Sequence, residues 1–118
     1  MIAIKRAYDP PQRGDGARIL VDRLWPRGVS KESLEADMWL KEVAPSDKLR
    51  KWSSHDAVRW QEFERRYLAE LKQNPEAWQP IVDRAEHGNV TLLYAAKDTA
   101  HNNAVVLMHF LQHHVRKS

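Results

Sequence analysis

The spacing of apolar and polar residues changes several times along this chain, and each change marks an element. Ile2–Tyr8 interleaves apolar and basic residues and predicts a strand. Asp9-Pro10-Pro11-Gln12-Arg13-Gly14-Asp15-Gly16 is turn chemistry throughout and predicts a loop. Arg18–Asp22 is a second strand, whose Ile19-Leu20-Val21 run suits burial on both faces. Trp25-Pro26-Arg27-Gly28 ends it, because proline has no N–H to donate. Ser30 is placed to cap a short helix over Lys31–Glu35. Asp37–Val43 reads as a short strand, and Pro45-Ser46-Asp47 opens a helical turn running through Trp52.

The middle of the chain takes a helical period. Trp60, Phe63, Tyr67, Leu68 and Leu71 recur every three or four residues within Asp56–Lys72. After Asn74-Pro75, the positions Trp78, Ile81, Val82 and Ala85 give another helix, stopped at Gly88. Pro80 suits the first turn of a helix beginning near Gln79. Val90–Ala96 is the strongest strand and reads as central. Thr99–Val115 predicts a last helix with Ala104, Leu107, Met108, Leu111 and Val115 on one face.

Strands separated by helices predict one α/β domain over residues 1–118, with a mainly parallel sheet flanked by helices. About nine residues join the first two strands, which is short for a crossover. That leaves two arrangements: an antiparallel hairpin, or a first strand at the edge of the sheet.

Composition narrows the function classes. The 118 residues include no cysteine, which excludes disulfides, thiolate nucleophiles and Cys-ligated metal centres. Charged residues make up 30%, and no apolar run approaches the ~20 residues that span a bilayer. Met1-Ile2-Ala3-Ile4-Lys5-Arg6 lacks the order of a signal peptide, so the expected setting is cytoplasmic, away from membranes. The net charge is +3, and positive charge concentrates at the two ends. Five of the six bases in residues 1–30 are arginines: Arg6, Arg13, Arg18, Arg23 and Arg27. Arginine suits bidentate contact with phosphate or carboxylate.

In open α/β sheets ligands gather beyond the carboxyl ends of the strands. Two segments end strands in polar residues: Asp22 to Gly28, and Lys97 to Asn103. If both strands run the same way, these segments meet. The second also opens a helix, whose free N–H groups favour an anion, with Asp98 or Thr99 as N-cap. At 100° per residue, His101 falls about 60° from the centre of the apolar stripe and points inward, with Asn102 toward solvent. Each residue also has an ordinary role: Asp98 as a plain cap, Lys97 as a solvated loop residue, His101 as packing, Asp22 and Arg23 as an ion pair. Their convergence from two strand ends favours a site.

Other signals are weaker. His109 and His113 are spaced i, i+4 like a two-His metal site, but lie opposite the apolar face without an acidic partner in sequence, so no metal is expected. His113 to Lys117 reads as a frayed basic tail. Trp60 and Trp78 read as core, whereas Trp25 stands in the candidate cleft. Gly14-Asp15-Gly16 lacks the pattern of a phosphate loop.

The run Leu20-Val21-Asp22-Arg23-Leu24-Trp25-Pro26-Arg27-Gly28-Val29-Ser30-Lys31 resembles the hallmark of the YeaO-like branch of the family called domain of unknown function 488. Trp39 to Ser46 and Leu92 to Asp98, with His101-Asn102-Asn103-Ala104 following, carry the same resemblance, which covers nearly the whole chain. It implies a small bacterial or archaeal cytoplasmic protein. Longer relatives carry a Cys-His-Arg run near the position of His101, where this sequence has Ala100-His101-Asn102, so a thiol role cannot operate here. The resemblance supports the two-segment site and names no reaction.

The sequence therefore predicts a domain that binds an anionic, phosphorylated small molecule at the strand ends. Arg23 and Arg27 hold the anion, Lys97, Asp98, Thr99 and Asn102 assist, and Trp25 lines the pocket. In an enzyme, His101 is the general acid or base and Asp22 orients or activates. The alternative is a nucleic-acid-binding accessory protein using the Arg-rich segment 6–27, with Trp25 stacking on a base. No cofactor is implied, and no oligomeric state follows.

Overall fold

The computed structural model describes residues 1–53 and 57–115. Four strands form one sheet: β1 (Ile2–Arg6), β2 (Ala17–Leu20), β3 (Met38–Trp39) and β4 (Val90–Tyr94). Their order is β1-β4-β2-β3, and every pairing is parallel. β4 lies between β1 and β2, with Val90 level with both Ile2 and Ala17. All five β4 residues are buried, as a strand with neighbours on both sides and cover on both faces requires. The first strand is at the edge. The hairpin is not formed: β1 and β2 both pair with β4 in parallel, and the residues between them are enough to run back along the strand and step across the one intervening strand, about 10 Å.

The helices are α1 (Lys31–Leu34), α2 (Asp47–Ser53), α3 (Trp60–Gln73), α4 (Pro75–Ala85) and α5 (Asn103–Gln112). Ser30 caps α1 by accepting the Ser33 N–H at 3.0 Å. Single 3-10 turns occupy Arg13–Asp15, Lys41–Val43 and Ala57–Arg59. The expected helix start at Asp56 lies outside the described residues, as do Arg116 and Lys117 of the expected basic tail. α4 begins at Pro75, not near Gln79. Pro75 takes the first helical position, where a missing N–H costs nothing, and Pro80 sits inside the helix.

The last helix starts four residues later than expected. Asp98 caps a turn of its own, its Oδ1 accepting the Ala100 and His101 N–H groups at 2.9 Å each. Asn102 is the true N-cap, accepting the Val105 N–H at 3.0 Å, and is buried instead of facing solvent. α5 also buries a broader face than one stripe, since Val106 and Phe110 join Ala104, Leu107 and Leu111 in the core.

Alternation along the strands divides the core in two. Ile2, Ile19, Val21, Val90, Leu92 and Tyr94 face α3, α4 and α5. Ala7, Leu20 and Leu93 face the other way, onto Leu34 of α1 and onto Trp25, Val29, Ala36 and Trp39. The links β1 to β2 and β2 to β3 step the same way across the sheet. The return from β3 to β4 runs through α2, α3 and α4. Opposite directions on opposite faces is the division that right-handed crossovers require.

The loop before β2 is pinned over the second face by charge. Asp15 is buried, with Lys5 Nζ at 2.8 Å and 3.1 Å from its two oxygens. Arg18 Nη1 and the Gln12 N–H also donate to it, at 2.5 Å and 3.0 Å. Burial pushes the Asp15 carboxyl up, but the Lys5, Gln12 and Arg18 donors outweigh it and hold it below its ordinary value. Next to it, Gly16 has φ +66°, and a Cβ there would lie 2.1 Å from the Asn89 carbonyl oxygen. Only glycine fits so close an approach.

Candidate functional site

Because β2 and β4 are adjacent and parallel, the segments that follow them leave the sheet at one edge. Asp22 ties them together. Its Oδ2 accepts the Ala95 N–H at 2.9 Å and its Oδ1 accepts Asn103 Nδ2 at 3.1 Å. The same Asn103 amide donates to the Val21 carbonyl at 3.1 Å, fixing the start of α5 to the end of β2. Arg6, at the end of β1, donates to the Ala96 and Ala95 carbonyls at 3.0 Å and 3.2 Å.

A cleft of about 660 Å³ opens over this edge, within the range of small-molecule sites. Of the first predicted segment, Asp22, Arg23, Trp25 and Arg27 all line it. Of the second, Lys97, Asp98, His101 and Asn102 line it; Thr99 is exposed outside the lining and caps no helix.

The lining residues differ in how far the fold already uses them. Arg23 donates to the Pro45 and Ala44 carbonyls at 3.2 Å and 3.4 Å, sewing the end of β2 to the turn before α2. Trp25 is packed: its indole N–H donates to the Val29 carbonyl at 2.6 Å, and its ring meets Trp39 edge-on with centroids 5.4 Å apart. Asn102 Nδ2 donates to the Asp98 carbonyl at 2.9 Å, so its amide is spent on both sides. The side chains of Arg27 and Lys97 make no hydrogen bond or ion pair among the described residues.

His101 lies just before α5, not in its first turn. The inward angle drawn from helical geometry does not apply to it, and half of its side chain is exposed. It reaches the cleft by another route. Its Nδ1 is 3.1 Å from Asp98 Oδ2, and its ring meets the edge of Trp60 with centroids 5.1 Å apart. The His101 and Ala100 N–H groups, then the imidazole, hold the Asp98 carboxyl below its ordinary value. Asp98 is thus an anion that orients a histidine.

Sequence reasoning missed a third contributor to the cleft. Ala44, Pro45, Arg50 and Ser53 come from the α2 region, and Trp60 and Phe63 from α3. Trp60 is only half-buried and stacks on Phe63, with centroids 5.5 Å apart, so it is a cleft wall as well as core. The spacing of the α3 pair said core, and Ala44 and Pro45 fell in the family-like run Trp39 to Ser46 without pointing to the cleft. Tyr8 also lines the cleft, donating its hydroxyl to the Arg27 carbonyl at 3.1 Å.

His109 and His113 are exposed, and no cluster of metal-ligating side chains occurs among the described residues. His114 does not fray: its ring packs on Trp78 and Phe110, centroids 4.6 Å and 4.5 Å away. Among the described residues no helix is long and apolar enough to cross a membrane.

Comparison with known proteins adds descent to geometry. The chain is 47% identical over 111 residues to the uncharacterized protein YeaO of Escherichia coli K12, covering 94% of this chain and 96% of that one. It is 36% identical over 110 residues to the uncharacterized protein Rv3073c of Mycobacterium tuberculosis H37Rv, covering 93% and 92%. No solved structure matches it significantly. A family model described as the inactive DUF488-N3 subclade matches residues 1–118, spanning both strand-end segments and the helices between them. The chain belongs to that subclade, within the YeaO-like branch of the DUF488 family.

Proposed function

We propose that this protein binds an anionic, phosphorylated small molecule at the carboxyl edge of β2 and β4, in the cytoplasm, and does not turn it over. The observation that carries the reading is the pair Arg27 and Lys97. They enter one cleft from two strand ends and have no internal partner among the described residues. Cations left unpaired beside apolar walls favour an anionic guest. Binding without turnover agrees with the subclade's description as inactive and with the lack of any thiol nucleophile.

A second reading, catalysis, has one observation in its favour. Asp98 holds His101 Nδ1, the arrangement that frees Nε2 to carry a proton in general acid–base chemistry. The nucleic-acid alternative is disfavoured by how the arginines are used. Arg6, Arg18 and Arg23 donate to groups of the fold itself, Arg18 is buried, and Trp25 is packed.

A thermal-shift screen against nucleotides, sugar phosphates and short oligonucleotides tests the three. A small phosphate ester at a hundredfold excess over Kd adds ~2.7 kcal/mol of stability. The shift should vanish in the Arg27→Glu, Lys97→Glu double variant. Phosphorus NMR of the bound ester should show no change over hours. A shift from oligonucleotides alone, steeply dependent on salt, would transfer the protein to the nucleic-acid class.

A further inference from the structure

Arg50 is the residue whose position the fold alone does not explain. Its helix is firmly placed. The Ser46 hydroxyl accepts the Leu49 N–H at 3.1 Å at the start of α2. Glu70 on α3 accepts the Ser46 N–H and O–H at 2.9 Å and 2.7 Å. Arg50 therefore leaves α2 in a fixed direction and lines the same cleft as Arg27 and Lys97. Its Nη2 reaches Asp47 at 3.4 Å. Its Nε is shut off from solvent and has no hydrogen-bond partner, alone among the described side-chain polar atoms. A buried donor on a cation without an acceptor is costly, and with 40% of the Arg50 side chain exposed, a turn of the guanidinium toward an anion in the cleft would give it one. Trp60 lines the same cleft, half-buried and backed by the buried Phe63 ring, and offers aromatic surface that no anion uses. Aromatic walls of this kind accept flat rings of any base identity.

We infer that the ligand is a nucleoside monophosphate or an ester of that shape, its phosphate held by Arg50 with Arg27 and Lys97 and its ring packed on Trp60. This rests on the binding reading above and narrows it from phosphorylated molecules to those that also carry a planar ring.

Isothermal titration of the full chain separates the parts, with inorganic phosphate, ribose 5-phosphate, the four ribonucleosides and their 5′-monophosphates as probes. At least one monophosphate should bind about tenfold or more tightly than ribose 5-phosphate and than its own nucleoside. Arg50→Gln should reduce that nucleotide to the level of its nucleoside. Arg50→Lys, which keeps the charge but has no Nε, should lose most of the affinity as well and serves if the glutamine variant does not fold. Trp60→Leu should reduce the nucleotide to the level of ribose 5-phosphate. If both Arg50 variants bind like wild type while Arg27→Glu does not bind, the anchor is wrong and the anion site stands. If ribose 5-phosphate matches the best nucleotide, the ring contact is wrong. If no phosphate-bearing probe binds, the site reading and this inference both fall.

Discussion

Asn103 donates its side-chain amide to Asp22 at 3.1 Å, across 81 residues of chain, and so joins the first turn of α5 to the end of β2. The Ala95 N–H completes the arrangement at 2.9 Å. Asp22 is therefore a positioning residue: its two oxygens hold the rims of the cleft at a set distance. This differs from the orienting role for His101 that the sequence suggested, which Asp98 takes instead.

Asp22→Ala should cost about 2–3 kcal/mol, since it leaves a backbone N–H and an amide without their charged acceptor. Asp22→Asn keeps one acceptor and should cost less. Urea unfolding monitored by tryptophan fluorescence gives both values. A midpoint unchanged in Asp22→Ala would mean that the rims are held by other contacts.

Arg23 and Arg27 should separate cleanly. Arg23→Ala removes donors to the Pro45 and Ala44 carbonyls and should lower Tm by roughly 3–8 °C. Arg27→Ala removes no internal partner and should leave Tm within about 1 °C of wild type while abolishing phosphate-ester binding. The reverse pattern of stabilities would contradict the assignment of structural and binding arginines.

Much of this arrangement is legible in the sequence. The two apolar runs ending in polar residues, Arg18–Asp22 and Val90–Ala96, do pair in parallel and do bring their loops together. The start of α5 was not legible, because Asp98 and Asn102 are both good caps and local chemistry does not rank them. Only the tie from Asn103 back to Asp22 selects the later one. The inward angle assigned to His101 failed with the helix start it was measured from. Arg50 and Tyr8 carried no signal at all, since what brings them to the cleft is tertiary: the Glu70 grip on Ser46, and the Tyr8 hydroxyl on Arg27.

Gly16→Ala should be among the most damaging single substitutions outside the core. Its φ of +66° and the Asn89 carbonyl oxygen 2.1 Å from the added Cβ leave no room for relaxation. A cost of about 3 kcal/mol or more is expected from backbone strain and clash together. Gly14→Ala is the control, with nothing within 4 Å of its added Cβ and no positive φ. Equal stability of the two variants would show that the loop before β2 can shift at no cost.

Acid should weaken the loop over the second face. The Asp15 carboxyl sits below its ordinary value of 3.8. Its contribution is therefore complete above that pH and is lost as pH falls through the depressed folded value. Urea unfolding at a series of pH values should show stability declining below 3.8. The Asp15→Asn variant, already weaker at neutral pH, should lose less over the same window. Parallel curves for the two proteins would place the acid sensitivity elsewhere, with the partly exposed Glu62, which Arg65 and then Arg66 hold at about 2, as the next carboxylate to examine.

The position of β4 also sets an order of assembly. The strand that seats β1 and completes β2 is the last of the four to leave the ribosome. Until Tyr94 has emerged, β1 has no strand beside it and β2 has only the two residues of β3. Completing the sheet then joins segments separated by some seventy to ninety residues, the kind of long-range closure that slows folding and leaves strand edges open meanwhile. A nascent chain halted before residue 90 holds every helix but α5 and no central strand, and so only one of the two strand ends that frame the cleft.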